Sequence, residues 1–179
     1  MMVILESQTI SPMLAVLATV NIFCALAGDH VKFGFPGASA ITVLAWGGIS
    51  YKNGYEKAGL MPYLLDAVKW GTDYFIKAHV APNKLYGQVG NGNLDHGFWG
   101  RPEDMTMERP AYFIDAQNPG SELAAETSAA LASAAILFKG VDDAYSAELL
   151  SHAEQLFDFA DTFRGSYSVS IPDAASFYK

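Results

Sequence analysis

The sequence predicts an all-α protein made of helical hairpins with long irregular loops. Three observations predict it. Apolar residues recur at helical spacing in four stretches, and no strand alternation of any length is present. The stretch 83–120 is rich in glycine and proline and separates two of these helices from the other two. Successive helical pairs fit either a bundle or a stack of hairpins, and composition does not separate the two.

The first helix reads as Ser39–Tyr51, with Ser39 as its N-cap after the breakers Gly34, Pro36 and Gly37. Ile41, Leu44, Ala45 and Ile49 form its apolar side, and Asn53-Gly54 and Gly59 mark its exit. Residues 61–80 give a second helix, with Pro62 in the first turn and Leu64, Val68, Phe75 and Ala78 on one side. Pro82 and Asn83 stop it. Ser121 is placed to cap a third helix, Glu122–Phe138, whose many alanines let neighbouring helices approach closely. Asp142 or Asp143 caps a last helix to Arg164, with the stripe Leu149, Ala153, Leu156, Ala160 and Phe163, and Gly165 follows it.

Length and charge narrow the function. The 179 residues are room for one ordinary domain, and 51% hydrophobic against 17% charged residues excludes a disordered chain. The net charge of −8 excludes electrostatic binding of nucleic acid, which needs clustered Lys and Arg. The single cysteine, Cys24, excludes a disulfide framework and any multi-cysteine metal site. His30, His79, His96 and His152 show no paired ligand spacing, so neither a metal site nor a cofactor is assigned.

The uncharged run 13–28 is short for a membrane span, so no stable span is expected. Ala25-Leu26-Ala27 has the small-x-small form of a signal cleavage site, but nothing basic precedes the run and Glu6 is acidic. Three readings stay open: a signal-like segment, a buried helix, or a leader foreign to the fold.

Residues 83–120 hold Tyr86, Phe98, Trp99, Tyr112 and Phe113, too many aromatics for a solvated linker. They read as an ordered surface on a scaffold. Within it, Asp95-His96-Gly97-Phe98-Trp99-Gly100 sets a carboxylate and an imidazole beside two aromatics. An aromatic face beside hydrogen-bonding groups suits a sugar ring, whose C–H face stacks while its hydroxyls are bonded. A loop anchored by a buried Trp is the alternative. Asp29 in Asp29-His30-Val31-Lys32 is either a general base for water or a carboxylate that caps a turn.

The run DHVKFGFP (29–36) resembles the DYVKFGFP that follows the Asp-Ala-Gly motif in glycoside hydrolase family 9, the endo-1,4-β-glucanases or cellulases. The likeness continues through AVKWGTDYFIKAH, LYGQVGNGNLDHGFWGRPEDMTMERPAYFID and PGSELAAETSAALASAAILF, and on to Phe177-Tyr178. The resemblance implies part of an (α/α)6 barrel and hydrolysis of β-1,4-glucan with inversion. Inversion needs a base to activate water and an acid to protonate the leaving oxygen, with carboxyls about 6.5–9.5 Å apart. By resemblance Asp29 matches the base. His96 and Trp99 match substrate contacts, with Phe98 beside them, and Phe177 and Tyr178 match an aromatic pair lining the cleft. The family's first base-side Asp aligns with Leu26, and no residue here matches its catalytic Glu.

The resemblance divides the chain into 1–28, a non-homologous leader that is signal-like or a gene-model artefact, and 29–179, a truncated family 9 catalytic domain. It implies an extracellular protein whose partner is β-1,4-glucan or a cello-oligosaccharide. The chain alone is expected to be inactive, with a non-catalytic glucan-binding or regulatory remnant as the alternative. About four helices would also leave apolar faces exposed, which favours aggregation.

Overall fold

The computed structural model describes residues 29–178. The run 13–28, Cys24 and Leu26 lie outside them. A short strand, β1 (Lys32–Phe33), leads into α1 (Gly34–Ser50), which is followed by α2 (Lys52–Ala58) and α3 (Met61–Ala78). Next come β2 (His79–Ala81), β3 (Lys84–Val89), the five-residue α4 (Gly92–His96), a 3-10 turn (Pro102–Asp104) and β4 (Ala111–Asp115). Two long helices, α5 (Ser121–Phe138) and α6 (Asp143–Thr162), precede α7 (Tyr167–Ser170) and a last 3-10 turn (Ala174–Ser176).

The helices form two antiparallel hairpins side by side. A Cβ added at Gly34 would meet Leu123, and one at Gly48 would meet Leu137, so α1 and α5 run in the same direction. Gly71 faces Ile41 and Gly48 faces Leu64, so α3 runs back along α1. Ser128 donates to the carbonyl of Ala153 and Ser146 to that of Ala135, each at 2.7 Å, which runs α6 back along α5. The small residues of α5 allow this closeness: Ala124, Ala130, Ala134 and Ala135 are buried in it. Between the hairpins, Thr42 of α1 donates to Glu126 of α5 at 2.9 Å. Phe75, Leu131, Leu149, Leu156 and Phe159 are among the fully buried side chains. The exposed side is apolar too, with Val43, Trp46, Ile136 and Phe157 each more than 60% exposed.

The expectation of no strands is corrected. A four-stranded antiparallel sheet sits at one end of the helices. β3 is its central strand, with β4 along one edge and β1 and β2 sharing the other. The sequence hides it because β3 contains Gly87 and is buried on consecutive residues, Gly87 to Val89. Alternation appears only where one face meets water.

Local boundaries also differ. α1 begins five residues before Ser39, which lies exposed inside it, so Ser39 is not its N-cap. Gly34, Pro36 and Gly37 fall in its first turns, where backbone N–H groups have no intrahelical acceptor and a proline costs little. Asn53-Gly54 lies within α2, while Gly59 does end α2, at φ 69°. Ser121 is the first residue of α5, not its cap, and its hydroxyl accepts from Gly165 N–H. Asp142 does cap α6, accepting from Tyr145 N–H at 3.0 Å.

Candidate active site

The site forms where the start of the described chain, the loop after β3 and the last residues meet at the sheet end. Asp29 sits just ahead of β1. One carboxylate oxygen accepts from Val31 N–H at 3.2 Å, which closes a local turn, and the other accepts from His96 Nε2 at 3.1 Å. The turn-capping reading of Asp29 thus holds, and the same carboxylate also faces an imidazole. The Asp29 side chain is 10% exposed and that of His96 44%, so the pair opens to solvent from the imidazole side.

The loop owes its shape to local capping and to one distant carboxylate. Asn91 is the N-cap of α4, accepting from Leu94 N–H at 2.9 Å. Asp173 collects three donors: Gln88 Nε2 at 2.5 Å, Asn91 Nδ2 at 2.6 Å and Gly92 N–H at 2.9 Å. It therefore ties the tail to the loop bearing His96. Phe177 follows from that attachment. Its ring meets His96 edge-on at 4.9 Å and Phe33 at 5.4 Å. It also lies so close to Gly92 that any Cβ there would stand 2.3 Å from it.

Of the residues expected at the site, Asp29, His96 and Phe177 come together directly. Phe98 is half-buried, its ring 6.2 Å from that of His30. Tyr178 packs edge-on against Phe33 at 5.0 Å. Its carbonyl accepts from the Tyr167 hydroxyl, which burial pushes up to about 12 and so keeps protonated. Trp99 stands out of the loop with 95% of its surface exposed, so it is not the buried anchor that the alternative required. An exposed indole on the same loop as an imidazole can stack on a sugar face while polar groups bond the sugar hydroxyls.

Sequence reasoning missed Asp173 and Arg109. Arg109 Nη1 reaches Asp95 at 3.2 Å, and Asp95 is only 2% exposed. Both contacts are made across the loop, and no local spacing signals them. It also missed a histidine pair. His79 and His152 meet Nδ1 to Nδ1 at 2.8 Å. His79 Nε2 also faces the Pro82 carbonyl at 3.4 Å, and one of the two Nδ1 atoms donates to the other. Burial lowers His79 from 6.5 to about 4 and also lowers His152.

A groove of about 430 Å³ lies elsewhere, between α5 and α6, lined by Ala132, Leu150, Ala153 and Phe157. It holds no part of the Asp29 constellation. Among the described residues, no helix is long and apolar enough to cross a membrane.

A family model described as "Glycosyl hydrolase family 9" matches residues 27–179. "Endoglucanase B" of Cellulomonas fimi is 58% identical over 153 residues, which is 86% of this chain and 15% of that protein. The solved endoglucanase of the termite Nasutitermes takasagoensis is 63% identical, with a TM-score of 0.83 over 84% of this chain and 35% of the termite chain. A cellulase of C. cellulolyticum in complex with cellobiose is 32% identical, with a TM-score of 0.75 over 83% of this chain and 40% of its own. The chain thus spans well under half the length of each.

Proposed function

The chain belongs to glycosyl hydrolase family 9, its helices are part of an (α/α)6 barrel, and we propose that its site face is the base side of a β-1,4-glucan hydrolase. The observation that carries the proposal is the Asp29–His96 contact, made by the same loop that displays Trp99 almost fully to solvent. In this reading Trp99 and Phe98 receive a glucose ring, Phe177 and Tyr178 form the apolar wall behind it, and His96 bonds its hydroxyls. Asp29 takes the proton from the water that attacks the anomeric carbon. Cello-oligosaccharides are the natural ligands. We place the action outside the cell, with 29–179 as part of the catalytic domain and 1–28 as a leader distinct from it.

The 179 residues by themselves supply binding and a base but no matched acid. They are expected to bind cellotetraose without hydrolysing carboxymethylcellulose, since a positioned acid or base contributes about 10²–10⁴-fold each. Titration calorimetry with cellotetraose tests the platform: Trp99→Ala should weaken binding by about tenfold, the scale of one stacked ring. Unchanged affinity would remove the sugar reading. Reducing-sugar release above a buffer control, abolished by Asp29→Asn, would refute the expectation that these residues do not turn over.

A further inference from the structure

Three hydrogen bonds close a ring around one peptide residue next to the proposed base. His30 N–H donates to Asp95 Oδ1 at 2.8 Å. Arg109 Nη1 donates to Asp95 Oδ2 at 3.2 Å, and Arg109 Nη2 donates to the His30 carbonyl. Both backbone polar groups of His30 are therefore held, one by each member of an ion pair.

The chemistry of the pair suits this task. A guanidinium is a rigid fork that can serve two acceptors at a fixed angle, whereas an ammonium is a point charge on a flexible stem. The Asp95 carboxylate is buried, so it needs these donors to offset its lost hydration. The backbone makes room for the fork at Gly90. That residue has φ 96°, and an added Cβ would lie 3.3–3.4 Å from three guanidinium atoms. Gly90 N–H also donates to the Pro110 carbonyl at 2.8 Å, which fastens the residue next to Arg109 to the end of β3.

The consequence follows from chain neighbours. Residue 95 is locked to residue 30, and the residues beside them, His96 and Asp29, meet at 3.1 Å. We propose that Asp95 and Arg109 are positioning residues that lock the His30 peptide and thereby fix the Asp29 carboxylate against His96. The proposal rests on the reading of Asp29 as the base, and adds how that base is aimed.

The test is a spectroscopic cycle on the full 179-residue chain, labelled with ¹⁵N in histidine. Asp29→Asn should shift the His96 Nε2 resonance in the otherwise native chain. In the Arg109→Lys and Asp95→Asn backgrounds the same substitution should shift it at least about threefold less, because the two groups no longer meet. A merely structural role would lower the melting temperature and leave this response intact. An equal response in all backgrounds would overturn the proposal. So would loss of the native spectrum in both variants, which would make the pair a determinant of folding and not of aim. Trp99→Ala with cellotetraose judges the glucan reading separately. If that affinity is unchanged while the His96 response behaves as expected, the clamp stands and the sugar ligand falls.

Discussion

Between α5 and α6, the buried residues are mostly alanine, leucine and aromatic rings, Phe138 meeting Tyr145 edge-on at 5.1 Å, and Ser128 and Ser146 hydroxyls donate to backbone carbonyls across the pair. At the site face, the residues that fix geometry are Asp95, Arg109, Asp173, Gln88 and Asn91, linked by side-chain hydrogen bonds. The first region is specified by volume and the second by direction. Burial of apolar area is non-directional and tolerates small shifts, whereas a hydrogen bond weakens steeply off its axis. The Asp29 carboxylate is held by contacts of the second kind, on a base of the first.

Perturbing the two regions should therefore give different signatures. The largest effect is expected in the helical layer. Phe159→Ala should cost about 3–5 kcal/mol in urea unfolding, because its buried ring leaves a cavity between packed helices. Gly34→Ala tests the seam between the regions. A Cβ there would lie 2.6 Å from the Gly87 carbonyl oxygen, a backbone atom that cannot rotate away. A loss of about 2–3 kcal/mol is expected, read in the same assay.

Asp173→Ala should cost about 2 kcal/mol, since three donors lose a charged acceptor, two of them on Gln88 and Asn91 side chains. Its signature differs from that of Phe159→Ala: the Phe177–His96 ring contact should vanish from NOE spectra while the α5–α6 contacts persist. If both sets disappear together, the site face is not a separable layer.

A pH-dependent effect of similar size is expected where helix and sheet join. Burial depresses His79, so between about pH 6.5 and 4 the unfolded chain binds a proton that the folded chain refuses. The associated stability is fully present above about 6.5 and is lost as the pH falls toward 4. Allowing for partial solvent screening, it amounts to about 2 kcal/mol. Urea midpoints at several pH values should show the slope, and His79→Asn should flatten it. The smallest effect on stability belongs to Trp99→Ala, within about 0.5 kcal/mol, because the indole is almost wholly exposed.

Much of the fold was legible along the chain. The stripe Leu149, Ala153, Leu156 and Ala160 is buried as its spacing requires, while its last member, Phe163, is the half-buried C-cap of α6, and Asp142 caps as expected. The aromatic-rich loop proved ordered, and the tertiary structure brings Asp29, His96 and Phe177 together. The sheet was not legible, because a short strand buried on consecutive residues carries no period of two. Ser39 misled because its capping chemistry is equally at home on an exposed helical surface.

The sequence by itself determined the long helices and the family, because periodicity and motifs are local properties of the chain. Only the tertiary structure decided what holds them. Asp173 meets Gln88 across 85 residues and His79 meets His152 across 73. The Asp95–Arg109 fork closes on His30 only because β3 brings its far end beside β1. Such contacts depend on directions that side chains take after the helices pack, and no spacing along the chain encodes a direction in space.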